Sequence, residues 1–493
     1  MKNIYTIFVA LLLLVSLSVM GKPNNLVKIT GQAAEYAGDS LHFMTYTDYL
    51  TLEEKTIASA KVSPDGTFEV QFPLTETEQV FMHLGTYKLY LYVQANCLYN
   101  IMLPPKSEKS QTDLLNPYFE ENELFIGVSN YKDNNLNFLI QAFDNSFLPY
   151  LNKYALNTGG KSITKELNSN YYAYNMHAKA KPEELTATLQ SLETSFPERK
   201  DSFFAAYFYY KTGLLRHWSS QYKARAISFD CFKNQPVLYK NPAYMELFSV
   251  IYDRYFNYFG RSPQGAGIYT AINTNKSLSA LKQILNQDSV FINERLKELV
   301  ILKCLYDEYY QPNFTRSSIL TLVDSMSTNA LYAESRDIAQ RMKYKITRLM
   351  AGYEPPTFSL ADTTGKMYTL DRWKGKLVYL NFCASFSYSS MKDFTLMQNL
   401  KDKLGDKIEI VTILADNSEA ARSFLRQKKY NWTFLSFEKQ PDVLKAYSIR
   451  AFPSYFVISP EGKLLRSPAK SPSEGIENDL FKIEQDRIRK EGQ

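Results

Sequence analysis

The chain has 493 residues, enough for two or three domains of ordinary size. Its 45% hydrophobic and 22% charged residues are those of a globular protein, with an aromatic surplus of 37 tyrosines and 31 phenylalanines. The net charge of +6 is spread over 57 basic and 51 acidic residues without long runs, so there is no directed basic field and no nucleic-acid partner is expected.

Met1-Lys2 supplies a positive start, Ile4 to Met20 is a nearly unbroken apolar run, and Val19 and Gly21 stand third and first before a cut after Gly21. Residues 1–21 read as a secretory signal peptide. An uncleaved anchor is the competing reading, but the run is shorter than the roughly 20 residues that a spanning helix needs. No cysteine lies near the cut, which leaves lipid anchoring without support, and no second membrane-length apolar run follows. The expectation is a mature chain in the periplasm or cell envelope with no stable membrane span after cleavage.

Residues 26–105 are β-rich. Leu26 to Ile29, Leu41 to Tyr46, Lys88 to Val93 and Leu98 to Leu103 read as strands, and Pro64-Asp65-Gly66 turns into Thr67 to Phe72. That last run alternates polar and apolar residues strictly, the mark of a strand with one buried face. Short strands between turn residues predict a small β-sandwich. His42 and His83 stand alone on these strands and read as packing residues.

Residues 106–350 read mainly as helix. Lys181-Pro182-Glu183-Glu184, Phe196-Pro197-Glu198-Arg199 and Asn241-Pro242 mark helix starts, the last with a capping side chain before proline at the first helical position. Leu247, Ile251 and Tyr255 continue the apolar face that follows. Glu294 to Tyr309 is a long helix with Leu296, Leu299, Val300, Cys304 and Leu305 on one side and charges on the other. Tyr171-Tyr172, Tyr209-Tyr210 and Tyr309-Tyr310 are candidates for an aromatic groove, against the commoner reading of core. No fixed repeat period emerges.

Cys97, Cys231, Cys304 and Cys383 are widely spaced and form no paired Cys-x-x-Cys pattern, so neither a metal nor a cofactor is expected. Buried free thiols are the default. Of the possible disulfides, Cys231 with Cys304 is favoured because both fall in the helical region.

Residues 351–493 carry the motifs. Glu354 to Leu360, Gly365-Lys366 and Leu370 to Lys376 lead into a buried strand, Leu377 to Phe382. Asn381 to Ser390 follows, and Met391, Phe394, Met397, Leu400 and Leu404 then recur at helical spacing up to Gly405. Ile408 to Leu414 is a second buried strand with Ala415-Asp416 at its exit, and Val443 to Tyr447 a short helix. Ile449 to Ile458, with Phe452-Pro453, reads as a further strand before the turn Ser459-Pro460-Glu461-Gly462-Lys463.

This order of elements resembles the TlpA-like and ResA-like envelope thiol-disulfide oxidoreductases, relatives of the AhpC/TSA peroxiredoxins with a thioredoxin-like α/β fold. The resemblance makes Phe452-Pro453 a cis-proline site, and it places Ser387 and Ser390 where the family has its redox Cys-x-x-Cys at a helix start. In such a pair the helix N-terminus lowers the first thiol's pKa and the thiolate attacks disulfides; a serine hydroxyl forms no reversible disulfide. Cys383 stands where the family usually has tryptophan. It reads either as a displaced redox thiol or as a small apolar filler. The serines read as helix caps rather than nucleophiles, because His42, His83, His177 and His217 all lie far upstream.

The expectation is a multidomain α+β protein: β-sandwich, helical domain and a thioredoxin-like domain without its dithiol. It is expected to be a non-catalytic module, with Phe386, Tyr388, Phe452 and Pro453 holding an extended polypeptide or envelope partner. The alternatives are an oxidoreductase or peroxidase acting through Cys383, and a purely structural domain.

Overall fold

The computed structural model describes residues 25–116, 118–130, 135–155, 181–219, 222–383, 388–414, 419–437, 440 and 442–491. The expected signal peptide, Tyr171-Tyr172, His177, Phe386, Ser387 and Ala415-Asp416 lie outside these residues. The strands are β1 (Leu26–Gln32), β2 (Ser40–Tyr46), β3 (Glu54–Lys61), β4 (Thr67–Pro73), β5 (Glu78–Leu84), β6 (Tyr87–Val93), β7 (Leu98–Met102), β8 (Asn122–Phe125) and β9 (Gly127–Val128), then β10 (Ser359–Asp362), β11 (Met367–Thr369), β12 (Leu377–Cys383), β13 (Ile408–Leu414), β14 (Thr433–Ser436), β15 (Ser454–Ile458) and β16 (Leu464–Ala469). Helices α1 (Gln111–Leu115), α2 (Leu136–Ala155), α3 (Pro182–Ser195), α4 (Ser202–Trp218), α5 (Ala224–Cys231), α6 (Pro242–Ile251), α7 (Tyr255–Gly260), α8 (Ile268–Asn273), α9 (Leu278–Leu285), α10 (Glu294–Glu308), α11 (Arg316–Asn329) and α12 (Ala333–Thr347) precede β10. Helices α13 (Tyr388–Leu404), α14 (Glu419–Lys428), α15 (Asp442–Ala446) and α16 (Ile476–Glu491) follow β12. The chain divides into two compact units, one running up to Glu108 and over Asn122–Arg341, the other comprising Lys109–Glu121 and Met342–Gln493.

In the first unit, two sheets of order β4-β1-β7-β9 and β3-β2-β5-β6-β8 share one apolar core. The alternation of β4 is complete: Phe68, Val70 and Phe72 are buried and the residues between them exposed. Its turn is set by Asp65, whose carboxylate accepts from the Thr67 amide at 3.0 Å and hydroxyl at 2.8 Å. Gly66 sits at φ +83, and a side chain there would meet the Ala34 backbone at 2.8 Å. Within the sheet, β1 runs antiparallel to β4 and parallel to β7.

The helices of this unit correct several sequence readings. Asn241 caps α6 by accepting from the Tyr244 amide at 3.1 Å, as its position implies, but α6 ends at Ile251 and Tyr255 opens the next helix after Arg254 in the left-handed region. The expected start at Phe196-Pro197 is a linker; α4 begins at Ser202, where Asp201 accepts from the Phe204 amide at 2.9 Å. Helix α10 keeps only part of its charge on the outer side: Glu294, Arg295, Lys303 and Asp307 are half-buried, while Lys297, Glu298 and Glu308 are buried with the apolar stripe. Lys282 reaches Glu298 at 2.7 Å and the Leu331 amide donates to it at 2.7 Å, so the charge is compensated. Cys231 and Cys304 are free, not paired. The Cys231 thiol faces the Arg216 guanidinium at 3.3 Å while that of Cys304 faces the Tyr252 carbonyl at 3.9 Å. Tyr210 and Tyr309 are core while Tyr209 and Tyr310 are exposed, so each of these pairs straddles the surface.

The second unit is built on a mixed sheet of order β11-β10-β14-β13-β12-β15-β16. Strands β12, β13 and β14 are parallel, while β15 runs antiparallel to β12. Every residue of β12 is buried, as expected for a central strand covered on both faces. Val378, Leu380 and Phe382 face one core with Val443 and Leu444 of α15; Leu377, Tyr379 and Cys383 face another with Phe394 and Met397 of α13 and Ile476 of α16. Gly405, at φ +58, follows the last residue of α13.

Candidate functional site

The C-terminal end of β12 positions the site. Cys383 is its last residue, paired in register with Leu414, and α13 opens at Tyr388, which puts Ser390 in the first helical turn. The end of the strand and the start of the helix therefore bracket the motif in the sequence. Phe382 pairs with Ser454, so Phe452 and Pro453 stand immediately beyond the end of β12, next along the chain from β15. The Phe452–Pro453 bond is cis. Both residues are half-buried, and the Phe452 ring stacks on Phe437 with centroids 6.4 Å apart. Ser454 turns its hydroxyl back to the Ala451 carbonyl at 2.6 Å.

Cys383 is fully buried and free, and burial pushes its thiol well above the ordinary range. A reactive thiol needs the opposite: exposure, and a cation or helix dipole to hold the thiolate. No charged group accompanies the shift, which burial alone causes. The described histidines belong to the other unit: His42 is bonded to Ser59 at 2.8 Å, His83 meets Glu54 at 3.2 Å, and burial lowers the pKa of His217.

Two polar features under α13 are absent from the sequence reading. Asn381, fully buried on the same strand face as Cys383, accepts from the Thr412 hydroxyl at 2.6 Å, and Thr412 accepts from the Trp432 indole at 3.0 Å. The Asn381 amide nitrogen is buried without a partner. The Tyr455 hydroxyl donates to the buried carboxylate of Asp393 on α13 at 2.6 Å, while the Tyr455 ring stacks on Tyr379 at 5.4 Å. This bond ties α13 to β15. An asparagine amid an apolar strand was the one sequence signal, and it marks only the Asn381–Thr412–Trp432 network.

Comparison with known proteins falls on this unit. The AhpC/TSA family model matches residues 351–467. Thiol-disulfide oxidoreductase ResA of Bacillus thuringiensis is 30% identical over 143 residues, 28% of this chain and 82% of that protein. ResA of Bacillus subtilis is 29% identical over 157 residues, 31% of this chain and 81% of its own length. Among solved structures, the thioredoxin domain of a thiol-disulfide oxidoreductase from Bacteroides vulgatus matches 27% of this chain and 96% of that one, at 22% identity and a TM-score of 0.25. With four-fifths of a ResA protein matched at 30% identity, and the strand–helix passage and proline strand in place, the chain belongs through its C-terminal domain to the ResA-like thioredoxin proteins of the AhpC/TSA family.

Proposed function

We propose that this is an exported envelope protein whose thioredoxin-like domain, residues 351–493, lacks the redox dithiol and serves as a non-catalytic binding module for an extended polypeptide or envelope partner. The parts ahead of it are a β-sandwich over 26–105 and a mainly helical domain over 106–350. The apolar run from Ile4 to Met20 behind Lys2 supports export. Among the described residues no helix is long and apolar enough to cross a membrane.

One observation carries the non-catalytic reading: Cys383, the only cysteine after residue 304, is sealed in the core with its thiol pushed up by burial. The relatives are named thiol-disulfide oxidoreductases, and chemistry of that kind here would have to run through this thiol. The half-buried Phe452-Pro453 segment at the end of β12, with Phe386 and Tyr388 close in sequence to the helix start, supplies the surface for a partner's extended strand.

The test has two arms. Insulin reduction by the purified protein should stay at background, and Ser387→Cys with Ser390→Cys should create a pair that oxidises and reduces reversibly. Turnover that vanishes in Cys383→Ala would sink the non-catalytic reading. In pull-downs from envelope extract, Phe452→Ser with Tyr388→Ser should lose a partner that Cys383→Ala retains; recovery that ignores both variants makes the domain structural.

A further inference from the structure

The first unit contains a cavity of about 580 Å³, within the range of roughly 300–1,000 Å³ typical of small-molecule sites. One wall is the turn Thr47–Leu50 with Glu76; the other comes from α4, the stretch before α6, and α12. Phe203, Val237, Met245 and Ile338 supply an apolar part of a mixed lining, to which Tyr49 and Tyr239 also belong.

The charges in the lining are unbalanced in one direction. Arg341 is held by Asp48 at 2.7 Å, Arg295 by Glu334 at 3.0 Å and Lys240 by Glu78 at 2.5 Å. Each cation is thereby neutralised. Glu76 and Asp337 line the same cavity, exposed to solvent, and neither has a hydrogen bond or ion pair among the described residues. The Tyr239 hydroxyl, on the same lining, is shut off from solvent and lies beside the buried Ser335 hydroxyl. Partial desolvation where it borders the cavity holds the Glu76 carboxyl above its usual range; Lys240, although paired with Glu78, still pulls it down, and Glu78 and Glu334 push it up.

We propose that this cavity binds a small organic cation with an apolar body, its ammonium between Glu76 and Asp337 and its hydrocarbon against Phe203, Met245 and Ile338. An anion would meet cations that are already paired beside carboxylates that are not. A neutral molecule would leave both carboxylates as they are. A cation instead supplies the missing counter-charge, and the aromatic rings add attraction of their own. The site is independent of the thioredoxin-like domain and stands or falls without it.

Probes that share one hydrocarbon chain and differ only in charge test the idea on the full-length protein. Titration calorimetry with hexylammonium should give saturable binding, with hexanoate and hexanol giving none. The nearly isosteric double variant Glu76→Gln with Asp337→Asn keeps the size of both side chains, and its circular dichroism and Tm should match the parent. Its affinity for hexylammonium should fall by about fivefold or more, the scale of a lost ion pair at a partly exposed site. Equal binding of hexylammonium and hexanoate, hexylammonium binding unchanged in the double variant, or no heat with hexylammonium at all overturns the proposal.

Discussion

Cys383 and Asn381 lie two positions apart on one face of β12 and make opposite demands of the same dry space. The thiol asks for nothing and is packed as a small apolar group. The amide asks for more than it receives, since Thr412 serves its oxygen and its nitrogen goes unpaired, a loss of about 1–3 kcal/mol. Asp144 on α2 is a half-buried polar group, with the Tyr207 hydroxyl at 2.9 and 3.0 Å from its two oxygens. Burial raises its carboxyl from the ordinary 3.8 to about 6, against the pull of Lys211 and Tyr207 and with a smaller push from Glu246. Between those two values the native state keeps a proton that the unfolded chain has released. Stability from this group is therefore greatest below about pH 4, falls as pH rises, and has been lost above about pH 6. Asp144→Asn should shrink the difference in unfolding free energy between pH 4 and pH 7 by on the order of 1–3 kcal/mol. Urea titrations at both pH values give the answer, and an unchanged difference refutes the assignment.

At the scale of elements, α10 shows what periodicity misses. Its apolar stripe was legible, yet Glu298 is as buried as its leucines because Lys282 and the start of the segment after α11 come to meet it. Glu298→Ala strands the Leu331 amide and removes a charge-assisted bond, for an expected loss of about 2–4 kcal/mol. Chemical denaturation measures it, and a loss below about 1 kcal/mol would mean that water replaces the carboxylate. Strand legibility follows the same logic. Strand β4, with one wet face, announces itself by alternation, whereas β5 carries three consecutive buried residues and has no period to read. Strand β3 is mostly outside the core, and its pairing with β2 shifts register by one residue between Phe43 and Met44. In the candidate site, the strands and the helix start were legible because their apolar runs are continuous. The Asn381–Thr412–Trp432 and Tyr455–Asp393 bonds were not, since each joins residues distant in sequence.

At the scale of the molecule, the two cores of the second unit are formed entirely by residues between Leu349 and Ile483. A fragment of residues 342–493 should accordingly unfold in one cooperative transition with native near-ultraviolet dichroism; a fragment without fixed aromatic signal would show that Lys109–Glu121, grouped with this unit, is required. The first unit has a different history written into its connectivity. Strand β1 is made before every other described strand, yet it occupies the interior of its sheet, between β4 and β7. From synthesis until β7 has followed, this interior strand has at least one side with no neighbour to bond. Its peptide groups are open to any extended chain nearby, and closing the gap requires a long loop. The strand at the middle of this sheet is thus the first to be made and is enclosed only when β7 arrives, which makes β1 the segment that a chaperone holding the nascent chain would have most reason to shield.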